Sequence, residues 1–340
     1  MSRSQKLSAA LDKWLKGEYD VVLKFPYDGE GAPLRIAAYG DSLTGGMPSM
    51  EPYAKNMQLK LKEMGIPTEI TVCYLGGACA VRMYTAALSD GPGLDIMGHV
   101  APNLMEFVRA RKNCWERPDV VMLMAGTNDF GQPGGASHQE VTLALKGLHE
   151  MCHKDGVPTI VLSIPDVGSS ASLAKPLERF QRKGYKTVNG ALAAWTRELN
   201  QATDGAHPGI KFVSTRALLP AGPKMQRKRY WEKDGVHWTV AGSKCLGERL
   251  AIVLESHLRA LLAQVVIARQ SEAIASAENA DAVPSLENFL AAFDLEDEQA
   301  GLTTGGAAAL TQCTEARYQE WQVEAVLLLQ RWYRRLHVVA

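Results

Sequence analysis

The strongest constraint on this chain is an alternation. From residue 34 to about residue 265, short continuous apolar runs alternate with longer stretches of helical period. The runs are LRIAAYG, TEITVCYL, DVVMLMAG, PTIVLSIP and GIKFVST. Each is the length of one strand and too apolar to leave a face in water. Between them lie PYAKNMQLKLKEMG, NLMEFVRARKNC, SHQEVTLALKGLHEMCHKDG and VNGALAAWTRELNQAT. The series ends on GSKCLGERLAIVLESHLRALLAQVVIA. Buried strands alternating with helices predict an α/β fold: a five-stranded parallel sheet covered on both faces, in three α/β/α layers. In such sheets, sites form beyond the carboxyl ends of the strands. That rule selects the loops that matter.

The flanks read differently. Residues 1–33 are expected to be a helical segment, with Leu7, Leu11, Trp14 and Leu15 on one face. No apolar signal core is seen there, and no run of about 18 apolar residues occurs, so no transmembrane helix is expected and the default location is cytoplasmic. From Arg269 onward there are five Lys/Arg against eleven Asp/Glu, although the whole chain is formally neutral. Two units of different kind follow: a large α/β domain over 34–268 and an acidic linker over 269–316. An amphipathic helical extension over 317–340 closes the chain. The neutral total leaves no electrostatic footprint for nucleic acid. The basic run Lys224–Lys233 reads as a solvated loop. The six scattered cysteines have no paired spacing and read as reduced thiols.

Three of the strand ends carry reactive residue types. The first ends in Gly40-Asp41-Ser42-Leu43-Thr44, the second in Gly76-Gly77, the third in Gly126-Thr127-Asn128-Asp129. Before the last helix stands KDGVHWTVAG, with Asp234 and His237 three residues apart. A serine hydroxyl attacks only when a base takes its proton. Histidine suits that task near neutrality, and a carboxylate holds its tautomer. Glycine N–H groups and a side-chain amide can stabilise an oxyanion. Ser42 alone reads as a turn serine. Asn128 at another strand end, with Asp234 and His237 before the last helix, turns the balance toward a nucleophile. Asp41 and Asp129 are expected to hold loop backbone.

GDSLT, GTND and DGVH, in that order, resemble three of the sequence blocks of the SGNH (GDSL) hydrolases. The resemblance runs from about Leu34 to Leu254. It implies a flavodoxin-like three-layer fold and a serine esterase or acylhydrolase cleaving carboxylic esters through an acyl-enzyme. Lipid, acetyl-carbohydrate and thioester substrates all fit the family. It implies Ser42, Asp234 and His237 as catalytic residues, with no cofactor and no metal. The Ser42 N–H, Gly77 and Asn128 would form the oxyanion hole. VCYLGGACA lacks a clean second block, so Gly76 stays open as an alternative to Gly77. Pocket walls are expected from Leu43, Met47, Ile96, Met97, Phe130, Pro165 and Trp231.

Two further motifs compete. HEMCHKDG matches the HExxH zinc-protease pattern at His149, Glu150 and His153, yet Thr159 stands where the extended pattern needs its third histidine. Val141, Leu145, Leu148 and Cys152 form that helix's apolar stripe, so the two histidines are expected to point outward. In the tail, LQRWYRR resembles an IQ motif, the helix that calmodulin-like proteins grip. The alternative function is therefore a binding module whose residues 317–340 engage a calmodulin-like partner.

Overall fold

The structure is a computed structural model that describes residues 19, 21–29, 31–89, 91–110, 115–130, 136–165, 175–202, 209–219 and 228–281. By contacts the chain divides into two compact units, residues 1–270 and 271–340. The expected N-terminal helix face, most of the acidic linker and the IQ-like helix lie outside the described residues.

The strands are β1 Val22–Phe25, β2 Leu34–Gly40, β3 Thr68–Tyr74, β4 Gly93–Leu94, β5 Val100–Ala101, β6 Val120–Met124, β7 Thr159–Leu162 and β8 Ile210–Val213. The helices are α1 Ser42–Gly45, α2 Tyr53–Glu63, α3 Ala80–Leu88, α4 Leu104–Val108, α5 His138–Lys154, α6 Lys175–Ala202, α7 Thr215–Leu218 and α8 Val240–Asp281. Six strands form one sheet in the order β1-β3-β2-β6-β7-β8. The five expected strands are all present and mutually parallel. The near-complete burial of β2, β3, β6 and β7 is what continuous apolar runs require, while the edge strand β8 leaves Lys211 exposed.

The sixth strand corrects the reading of residues 1–33. VLKF pairs antiparallel with β3, Val22 opposite Cys73 and Phe25 opposite Ile70. It is an edge strand, and its four residues are too few to show a period. The small β4–β5 pair was also not foreseen, since two-residue strands leave no pattern. The last helix runs to Asp281, so residues 269–281 are helical rather than the start of a linker.

Helix α8 also alters the expectation about membrane spans. Its segment Val240–Glu272 is long and apolar enough to cross a membrane by length and composition. Part of that apolarity faces the core: Leu246, Leu250, Leu254, Leu258 and Leu261 are buried at helical spacing. Ile252, Val253 and Ile267 are exposed. An ion pair ties the helix back to the sheet: Arg269 reaches both carboxylate oxygens of Asp119 at 2.8–2.9 Å and donates to the Pro33 carbonyl.

Strand register sets up the site. Gly40 stands opposite Tyr74 on one side and Met124 on the other, so three strands end level. The loops that follow, at 41–44, 75–78 and 125–130, therefore share one edge of the sheet.

Candidate active site

The first loop turns sharply because Gly40 lacks a side chain. A Cβ there would lie 2.0 Å from the Met124 carbonyl oxygen and 2.3 Å from Thr44 Oγ1. Such contacts force a backbone shift, so glycine lets the strand close against its neighbour. Asp41 then caps α1, its Oδ1 accepting the Leu43 N–H at 3.0 Å. Burial pushes the Asp41 carboxyl up to about 6, against the pull of that N–H. Asp129 does a similar job elsewhere: it accepts the Ala80 and Val81 N–H groups at the start of α3. Both aspartates hold backbone.

The cap leaves Ser42 as the first helical residue, 7% exposed. Its Oγ lies 2.9 Å from His237 Nε2, across 195 residues of chain. His237 Nδ1 lies 2.6 Å from Asp234 Oδ2. Asp234 Oδ1 accepts the Val236 and His237 N–H groups at 2.8 and 3.0 Å. Partial burial raises the Asp234 carboxyl, but the His237 side chain and these two N–H groups outweigh it and hold it below the ordinary range. The aspartate is therefore ionised at any neutral pH.

A tight antiparallel loop presents this pair. Trp231 bridges Trp238, and Glu232 N–H donates to the His237 carbonyl at 2.8 Å. The pairing turns both indoles into the core, 4% and 3% exposed, edge-on to each other at 6.1 Å. Trp231 is thus an anchor of the loop rather than a pocket wall. Leu43 and Phe130 are corrected in the same way. They are 1% and 0% exposed, and Phe130 packs edge-on against Tyr185 at 5.3 Å. The Tyr185 hydroxyl, not anticipated from sequence, donates to the Thr127 carbonyl at 3.0 Å and steadies the third loop. Pro165 is buried beyond the end of β7. Met47 lies beside Gly76, Ile96 covers Gly77, and Met97 is exposed.

The second loop is a turn in which the Ala78 N–H donates to the Leu75 carbonyl at 3.0 Å. Gly77 sits at its third position with φ +70°, the left-handed value a type II turn needs there. The Leu75 N–H donates to the Gly40 carbonyl at 2.9 Å, which fixes this turn beside the serine loop. Asn128 Nδ2 donates to the Ala78 carbonyl at 3.0 Å. That bond uses one of the two amide protons.

The HExxH helix is differently placed than expected. Glu150 is exposed, but His149 is fully buried, its ring 6.0 Å from that of Trp195. Helix α5 is buried on more than one side: Gly147 meets Tyr84 of α3, and His149 meets Trp195 of α6. A single apolar stripe could not reveal the second buried side. His153 Nε2 bonds Thr159 Oγ1 at 2.8 Å, tying α5 to β7. Among the described residues no three His, Cys, Asp or Glu side chains gather as metal ligands.

Burial holds the His149 imidazole down to about 3, with the neighbouring His153 adding to the shift. The unfolded chain therefore binds a proton that the native state refuses between the ordinary value of 6.5 and about 3. Its contribution to stability is full above 6.5 and falls as the pH drops, by up to about 1.4 kcal/mol per pH unit. Asp41 acts oppositely, since its raised value makes the native state hold a proton between 3.8 and about 6. The wild-type curve mixes the two. The difference between wild type and His149→Phe, from urea midpoints across pH 7 to 4, isolates the histidine. The variant should gain steadily on wild type toward acid.

The sequence profile of the GDSL-like lipase/acylhydrolase family matches residues 38–245, more than half of the chain. The chain belongs to this family. Among solved structures, the GDSL-like chain is similar to a family 3 carbohydrate esterase from Clostridium thermocellum, at 17% identity and a TM-score of 0.45 over 68% of this chain and 99% of that one. It is also similar to a GDSL-like lipase from Bacteroides thetaiotaomicron, at 17% identity and 0.42 over 66% and 89%. A lipolytic G-D-S-L protein from Veillonella parvula matches at 16% identity and 0.44 over 65% and 98%. No curated protein matches the sequence of this GDSL-family chain.

Proposed function

We propose that this GDSL-family protein is a serine esterase that hydrolyses carboxylic esters through an acyl-enzyme. The observation that carries the reading is the relay from Ser42 Oγ to His237 Nε2 at 2.9 Å and from Nδ1 to Asp234 at 2.6 Å. His237 takes the Ser42 proton as Oγ attacks the ester carbonyl, and the imidazolium is held by the ionised Asp234. The Ser42 and Gly77 N–H groups and the second Asn128 amide proton receive the oxyanion. None of these backbone N–H groups has a protein acceptor among the described residues. His237 then protonates the leaving alkoxide, and in the second half deprotonates water for deacylation.

Covalent labelling tests the reading. A fluorophosphonate should label wild type and fail on Ser42→Ala; equal labelling of both, or of neither, would sink it. Asn128→Ala removes one oxyanion donor and should lower kcat by about 10²–10³-fold with a small change in KM. An unchanged kcat would take Asn128 out of the hole.

A further inference from the structure

We infer that the Asp95–His99 hairpin is a lock on the oxyanion hole: the Ile96 N–H pins the Gly76 carbonyl and so aims the Gly77 N–H. The inference rests on the serine-esterase reading. The Ile96 N–H donates to the Gly76 carbonyl at 3.0 Å. That carbonyl and the Gly77 N–H belong to one planar trans peptide, so they point in opposite directions. Whatever holds the oxygen therefore sets the direction of the N–H. The constraint matters because the peptide lies between two glycines at the centre of a turn. Type I and type II turns differ by rotation of that central peptide, and glycine resists the rotation least. Left alone, this donor would spend time facing away from the substrate.

The hairpin tip is held firmly enough to serve. Asp95 Oδ1 accepts the Met97 and His99 N–H groups, each at 2.8 Å, and Oδ2 bonds His99 Nδ1 at 2.7 Å. The side chain of Asp95 is buried while His99 is half exposed. The Gly98 N–H closes the tip on the Asp95 carbonyl at 3.2 Å, and β4 pairs with β5 behind it. From that frame the Ile96 side chain also covers the bare α-carbon of Gly77, where a Cβ would lie 2.7 Å from Ile96 Cδ1. Asp95 and Ile96 touch no reacting atom. They are positioning residues.

The turn Asp95–Gly98 offers a clean test. Ile96 is its second residue, the position that accepts proline most readily. Ile96→Pro deletes the N–H; Ile96→Ala strips the side chain and keeps the N–H, and serves as the reference. Relative to Ile96→Ala, Ile96→Pro should lose about 10- to 100-fold in kcat with KM within threefold, short of the full loss of one donor. The Ki of a trifluoromethyl ketone, which forms an oxyanion on Ser42, should rise by the same factor as kcat/KM falls. Asp95→Asn, which leaves a neutral group with one acceptor oxygen, should move both quantities the same way by about 10-fold. A purely structural role would lower the melting temperature and the active fraction without a matched rise in Ki. Equal kcat and Ki in Ile96→Pro and Ile96→Ala, with wild type labelled by fluorophosphonate, overturns the lock alone. A wild type that neither labels nor turns over ester overturns the serine reading and the lock together.

Discussion

Ser42→Ala should lower kcat for a simple ester by about 10⁶-fold, the loss seen when a triad nucleophile is removed from an otherwise intact site. The size follows from what is lost. Without Oγ no acyl-enzyme forms, and His237 faces a methyl group where it had a proton to take. What remains is the oxyanion hole and substrate binding, which alone give some 10³–10⁴ over water. The melting temperature should hardly move, because the hydroxyl's protein partner in the site is the half-exposed loop of His237, and α1 is capped by Asp41 independently of it. Steady-state kinetics beside a thermal melt reads both quantities. Retention of more than a hundredth of wild-type kcat in a pure, folded Ser42→Ala would place the chemistry elsewhere.

The second large effect concerns Asp234. Asp234→Asn should lower kcat by about 10³–10⁴-fold with KM little changed. A neutral amide no longer stabilises the imidazolium, and its N–H₂ face drives His237 into the tautomer that cannot accept the serine proton. The lower end of the range is favoured here. Asp234 is 46% exposed on its side chain, so water already screens part of its charge. The pH dependence carries the same sign. Because the carboxyl is held below its ordinary range, its support of His237 persists through pH 5 and is lost only as the pH falls through that lowered value. A loss of less than tenfold in Asp234→Asn would mean that the loop backbone, not the carboxylate, orients the histidine.

Much of this arrangement was legible before any coordinates. Continuous apolar runs specify buried parallel strands because an alternating strand would leave polar groups inside. The loops at their carboxyl ends were then the place to look, and Ser42 and Asn128 stood there, while Asp234 and His237 stood three apart in the turn before the last helix. Side-chain roles one step further out were not legible. Trp231, Leu43 and Phe130 looked like pocket walls because they neighbour the reactive residues in sequence. Cross-strand pairing of Trp231 with Trp238 and the contact of Phe130 with Tyr185 turned them into the core. His149 was misplaced because α5 is covered on a second side by α6, which one helical period cannot report.

By itself, the sequence determined the five buried strands and the short motifs at their ends, since these depend on local period and on residues within a few positions of each other. Only the tertiary structure decided the edge strand β1, the 2.9 Å approach of Ser42 to His237 and the hairpin that pins Gly76. Each of these is a contact between segments far apart in the chain. Its existence depends on how the layers close, and no local pattern encodes a distance across the fold.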